Sequence, residues 1–215
     1  MLDECSPVNT DLDTQLYQLN AMLELQNKMN ARVHADWQSQ NFEWYRAIWT
    51  ECAETLDHYG WKWWKKQTPD RDQVCMELVD IWHFGLSILL LEGISPAGLI
   101  EQLGDPNVGD QDFRELLEDF TATTLTTKSF DLRKFRNLMV SVDMSMDDLY
   151  AQYIGKNVLN FFRQDHGYKE GSYHKLWGGK EDNEHLVEVL AKLDPSLDNF
   201  ADSLYTELES RYPSS

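Results

Sequence analysis

The sequence predicts an all-α protein, and three observations carry that prediction. Apolar residues recur three, four and seven positions apart over several long windows, the mark of helices that bury one face. Alternation of apolar and polar residues is never sustained, and β-branched runs are scarce, so half-buried strands are not expected. Only six prolines and eleven glycines interrupt 215 residues, which leaves long stretches open to helix.

The elements follow in order. Residues 1–11 read as a loose leader. From 12 to about 31, Leu12, Leu16, Leu19, Leu23, Leu25 and Met29 fit a helical stripe. A second helix is expected over about 42–58, ended by Gly60, and a third over 72–92, stopped by Gly93. Between them, WKWWKKQTPD mixes aromatics and lysines around Pro69. Residues 94–143 read as shorter helices with loops at GDPNVGD and TTLTTKS, a smaller, mobile helical subdomain of one domain spanning 12–215. Ser145 with Asp148 resembles a capping pair opening a helix to about 165, with Gly167 as its stop. The run GYKEGSYHKLWGGKEDN reads as loop throughout. Two last helices, about 181–192 and 196–210, are separated by Asp194-Pro195.

Composition narrows the function. Hydrophobic residues at 42% and charged residues at 26% allow a packed core and exclude wholesale disorder. Asp plus Glu is 37 against 19 Lys plus Arg, a net charge of −18, so the chain repels a phosphate backbone and nucleic acid is not an expected partner. A small phosphorylated ligand would need local cations, from side chains or from metal. Cys5, Cys52 and Cys75 lack zinc-type or CxxC spacing. Cys52 and Cys75 sit in apolar helical patterns as buried reduced thiols, which favours an intracellular, cytoplasmic setting. The start, MLDECSPVNTDLD, has no basic flank followed by an apolar core, and the longest apolar run, 84–91, is too short to span a bilayer. A soluble protein without a membrane partner is expected.

Two predicted helices each carry acids at i, i+3: Glu51 with Glu54 in ECAE, and Glu77 with Asp80 in ELVD. That spacing puts both carboxylates of a pair on one face. If the helices pack antiparallel, four carboxylates converge, and such a group binds hard divalent ions, Mg²⁺ above all, because it keeps waters and takes phosphates as ligands. An ExxE alone is ordinarily a solvated face; small or apolar neighbours such as Cys52, Val79 and Trp82 argue against that here. A di-iron bundle would need two ExxH helices, whereas Asp80 and His83 supply a single DxxH.

Cations and amides complete the set. Lys156, Asn160 and Arg163 fall at i, i+4 and i+7 on one helical face. Arg163 has the fork for a phosphate, and Lys156 and Lys169 act as point charges; paired with local acids, they would be an ordinary helix surface. Gln26 and Asn30, at i, i+4, offer the donors and acceptors that suit a pyrimidine edge, or else lie on the wet face of an amphipathic helix. Trp61, Trp63 and Trp64, interleaved with Lys62, Lys65 and Lys66, can stack a base or border phosphates.

Taken together, MLELQNKMN (22–30), ECAETLDHYGWKWWKK (51–66), MELVDIWHF (76–84) and the segment 153–183, with YIGKNVLNFFRQDHGYKEGSY followed by KLWGGKEDN, resemble the dimeric dUTPases of trypanosomatids, some bacteria and phages. These are relatives of the MazG-type and dCTPase-type all-α NTP pyrophosphohydrolases. The resemblance implies a helical bundle of that type, a homodimer, and hydrolysis of dUTP, with dUDP as a further substrate, to dUMP. It implies Glu51, Glu54, Glu77 and Asp80 as ligands of two or more Mg²⁺ ions, with Glu51 activating the attacking water. It implies Gln26 and Asn30 as readers of uracil, and Lys156, Asn160, Arg163, Tyr168 and Lys169 as holders of deoxyribose and phosphates. Trp61 and His83 fall in matching motifs as further substrate-binding positions. The rival readings are a pyrophosphohydrolase with another base preference, such as dCTP, and an acidic helical adaptor without chemistry.

Overall fold

The computed structural model describes residues 10–195, 197 and 199–213, and side chains from residue 12 onward; the expected leader, up to residue 9, and Cys5 lie outside the described residues. The described residues carry nine α-helices, one short 3-10 turn and a two-residue hairpin. The protein is all-α. The chain falls into two compact units, Met1–Met146 and Asp147–Ser215.

The first unit holds α1 (Thr10–Val33), α2 (Trp44–Tyr59), α3 (Arg71–Glu92), α4 (Pro96–Leu103), α5 (Phe113–Thr127) and α6 (Leu132–Ser141). Its centre is α3, buried at nearly every position from Val74 to Leu89. That explains its composition. Among the described residues it is the one helix long and apolar enough to cross a membrane, yet 78% of its most apolar window is buried inside the protein. Asp70 starts it by accepting from the Gln73 N–H, and Gly93 ends it at φ 73, in the left-handed conformation glycine adopts at low cost.

The neighbours of α3 are fixed by specific contacts. Helix α2 runs antiparallel to it: His58 meets Glu77 near one end, and the Trp44 ring lies 6.3 Å from that of Phe84 near the other. Helix α1 runs parallel to it, with Trp82 Nε1 donating to Met22 Sδ at 3.3 Å and Asn30 Nδ2 to Ser87 Oγ at 2.9 Å. Helix α5 closes on α2, where Phe113 stacks on Tyr59 at 4.4 Å and Arg114 Nε donates to the Gly60 carbonyl at 2.6 Å. Trp82, Phe120, Phe130 and Phe135 form a buried aromatic cluster from α3, α5, α6 and the turn before α6. Gly85 admits Phe130, because a Cβ there would sit 2.5 Å from the ring.

Two expectations for this unit are corrected. The buried stripe of α1 is not all apolar: Leu12 is exposed and Leu25 half-buried, while Gln18, Gln26 and Asn30 are buried beside Leu19, Met22 and Leu23. The run TTLTTKS is no loop, since α5 continues through Thr127. The hydroxyls of Thr121, Thr123, Thr126 and Thr127 each bond the carbonyl four residues back, and the fully buried Thr124 belongs to the core face.

The second unit holds α7 (Met146–Asp165), β1 (Leu176–Trp177), β2 (Lys180–Glu181), α8 (Asp182–Leu190) and α9 (Phe200–Arg211). The segment expected as loop contains a small hairpin, with Leu176 opposite Glu181 and Trp177 opposite Lys180. Gly178 and Gly179, at φ 56 and 88, supply the two positive-φ residues that a tight hairpin turn requires. The last helix starts at Phe200 rather than 196, because the carbonyls of Asp194 and Leu197 are taken by turns to the N–H groups of Leu197 and Phe200. Phe162, Trp177, Leu186, Leu204 and Leu208 are buried, and Tyr212 stacks on Tyr173 at 5.5 Å.

Candidate functional site

The antiparallel pairing of α2 and α3 turns two local spacings into one site. Glu51, Glu77 and Asp80 bring carboxylate oxygens within 4.8 Å of one another. Glu77 is buried, at 8% exposure, and the other two are half-buried. Three hard oxygen donors this close, on rigid helices, suit a divalent cation such as Mg²⁺. Glu54, one turn on from Glu51, is exposed and stands outside that group.

Two further residues border the acids. His58 Nε2 lies 3.5 Å from Glu77 Oε1. His58 follows Glu51 by seven residues, two turns along the same face of α2, a spacing that could have pointed to it. Cys52 lies beside Glu51. Burial, partly offset by a hydrogen bond with Thr121 and reinforced by the Glu51 carboxylate, pushes its thiol up to about 12. Cys52 is therefore a neutral packing residue here, in keeping with the buried reduced thiols Cys52 and Cys75.

Next to the acids, α1 and α3 enclose a polar network. Gln26 and Asn30 are 4% and 6% exposed, so neither lies on a wet face. Gln26 Nε2 donates to Asn30 Oδ1 at 2.9 Å and to Ser87 Oγ at 3.1 Å. Asn30 Nδ2 donates to the same hydroxyl at 2.9 Å. His83 Nδ1 lies 2.9 Å from Gln26 Oε1, and Ser87 Oγ donates to the His83 carbonyl at 3.1 Å. His83 is thus gathered with the two amides. Ser87 is a member that the sequence reading missed; its place four residues after His83 and seven after Asp80 was the available signal.

The connector between α2 and α3 carries Trp61, which is exposed. Its indole N–H donates to Asp57 Oδ1 at 3.1 Å, as does Lys62 Nζ at 2.7 Å. These bonds, from Lys62 first and Trp61 second, hold the Asp57 carboxyl below its usual range. Gln67 Oε1 accepts both the Trp61 and the Lys62 backbone N–H, so this end of the connector is held in shape.

The remaining predicted residues belong to the second unit. Lys156 is buried on α7, Asn160 and Arg163 follow on the same face, and Tyr168 and Lys169 are exposed on the loop beyond. The fork of Arg163 is engaged: Nε donates to Asp182 Oδ2 at 2.8 Å and Nη2 to Asp182 Oδ1 at 2.9 Å. Arg163 Nη1 also donates to Asn160 Oδ1 at 3.1 Å, which leaves one N–H on that nitrogen. Asp182 is fully buried and accepts the Tyr173 hydroxyl as well, at 2.9 Å. Burial opposes ionisation of both partners, and the pairing overcomes it: the Asp182 carboxyl is held below its usual range and the Arg163 guanidinium above its own. Burial and the Asp182 charge together push the Tyr173 phenol up.

Converging carboxylates on paired helices, with buried amides between α1 and α3, form a site able to take a divalent cation and a polar ligand. The chain belongs to the dUTPase family, whose model matches residues 18–168 and so takes in every predicted site residue except Lys169. Its activity is accordingly that of a dUTP diphosphatase. No curated protein matches the chain.

Proposed function

We propose that the chain hydrolyses dUTP to dUMP and pyrophosphate with Mg²⁺ held by Glu51, Glu77 and Asp80, joined by Glu54 from the next turn of α2. The convergence of the first three carboxylates within 4.8 Å carries this reading. Two or more ions bound there supply the positive charge that offsets a triphosphate. Glu51 accepts the proton of the attacking water as general base. Gln26 and Asn30 read the uracil edge, with His83 bonded to Gln26. Lys156, Asn160, Arg163, Tyr168 and Lys169 hold the sugar and phosphates, Arg163 through the one Nη1 N–H that Asp182, Asn160 and Asn183 leave to it. Trp61 borders the substrate as an apolar wall. Attack on the β-phosphorus extends the activity to dUDP. The enzyme works as a cytoplasmic homodimer, limiting uracil incorporation into DNA and supplying dUMP.

Glu51→Gln, Glu77→Gln and Asp80→Asn should each nearly abolish pyrophosphate release while leaving helical content intact, since each removes a charged ligand from the site. Full turnover in excess chelator would overturn the metal assignment. Sedimentation showing a fully active monomer at micromolar concentration would overturn the dimer.

A further inference from the structure

We infer that Ser87, which nothing assigns to the reaction, is a positioning residue that locks the orientation of the Asn30 and Gln26 amides and thereby lets the site tell uracil from cytosine. The inference rests on the reading of Gln26 and Asn30 as the base site. It follows from counting protons around one hydroxyl. Ser87 is fully buried, and its single proton is given to the His83 carbonyl at 3.1 Å. The oxygen can then only accept. Gln26 at 3.1 Å and Asn30 at 2.9 Å must both turn their NH₂ groups towards it. Gln26 Oε1 consequently faces His83, whose Nδ1 must carry a proton to donate across 2.9 Å. The second Gln26 N–H goes to Asn30 Oδ1. Each assignment forces the next, and the starting point is the Ser87 hydroxyl.

Both Gln26 N–H groups are engaged within the network. Asn30 keeps one N–H and one carbonyl lone pair beyond its bonds to Ser87 and Gln26. A single donor and a single acceptor on one amide match uracil, with its N3–H beside a carbonyl. Rotated by half a turn about its last bond, the same amide matches cytosine, with its N3 lone pair beside an amino group. An amide able to turn therefore cannot discriminate between the two bases. One held by Ser87 can, because turning would point its carbonyl oxygen at another acceptor and leave a buried hydroxyl lone pair facing it.

The test is Ser87→Ala, which removes the acceptor with little change of volume. The kcat/KM for dUTP and for dCTP would be measured, along with calorimetric binding of dUMP and dCMP. The parent should prefer uracil. In the alanine variant the dUTP to dCTP ratio should fall about tenfold to hundredfold, partly through a rise in absolute activity on dCTP. The dUMP to dCMP affinity ratio should fall with it. Ser87→Thr, which keeps a hydroxyl able to bond the carbonyl four residues back, should retain the discrimination. A purely structural role would lower both nucleotides equally and leave the ratio unchanged, and that result would overturn the inference. Loss of discrimination in the threonine variant equal to that in alanine, with helical content intact, would overturn it too. If the alanine variant does not fold, Ser87→Cys, a weak acceptor of similar size, takes its place under the same criteria. A parent that hydrolyses dCTP as well as dUTP would instead sink the base-site reading itself.

Discussion

Replacing Asp182 with asparagine removes one charge from a buried pair and leaves its shape nearly intact. In the parent, the Asp182 side chain is wholly buried and the Arg163 side chain only 15% exposed. Two N–H···O bonds of 2.8 and 2.9 Å join them, and the Tyr173 hydroxyl adds a third contact to the carboxylate at 2.9 Å. Removing one partner of such a pair costs about 3–5 kcal/mol, because the other charge stays buried without compensation. Asparagine keeps one carbonyl oxygen for the guanidinium, so a loss of about 2–4 kcal/mol is expected for Asp182→Asn. Urea unfolding at neutral pH would measure it, with Arg163→Met and the double variant completing a cycle. The sign of the pH dependence is determined. A carboxyl whose folded pKa is depressed contributes stability that is fully present above its unfolded value and lost as pH falls through its folded value. The gap between parent and variant should therefore be complete above about pH 4 and close progressively below it. A difference under about 0.5 kcal/mol at neutral pH, or a gap that persists unchanged to about pH 2, would refute the reasoning.

Other perturbations follow from single contacts. Gly85→Ala would place a methyl 2.5 Å from the Phe130 ring, which is itself packed on Trp82, Phe120 and Phe135. A loss of roughly 1–3 kcal/mol is expected in thermal or urea unfolding, despite alanine's better helix propensity; an unchanged or raised midpoint would show that the aromatic cluster yields freely. The Cys52 thiol, raised from 9.0 to about 12, contributes stability that is complete below pH 9.0 and lost as pH rises towards 12. Cys52→Ala should flatten that alkaline decline, and native Cys52 should resist alkylation at pH 9.0 until the protein is unfolded. Across dUTP, dCTP, dTTP and UTP, Gln26→Ala should erode base preference, whereas Lys156→Ala should lower kcat/KM alike for all four. Equal loss of preference in both variants would separate neither role.

Much of this protein was determined along the chain. The acids at Glu51 and Glu54, and at Glu77 and Asp80, were legible because helical spacing alone puts each pair on one face. Helices α2, α3 and α7 end within a residue or two of the positions that periodicity, Gly60, Gly93 and Gly167 mark. Local chemistry decides such features, so local sequence reveals them. Tertiary structure decided the rest. Whether Gln26 and Asn30 face water or core depends on what α3 lays against α1, and a polar residue in an amphipathic pattern carries no sign of that. Which three acids converge depends on the antiparallel register of α2 and α3, which brings Glu51 to Glu77 and Asp80 and leaves Glu54 exposed. Ser87 reads as an ordinary small residue in an apolar helix until two amides from another helix arrive at its oxygen. Arg163 shows a cation on a helical face, but its carboxylate partner lies nineteen residues onward and reaches it only when the hairpin at Gly178-Gly179 turns the chain back. Periodicity records how one element arranges its own side chains; partnership between elements is settled by packing, where burial makes each polar group find its match.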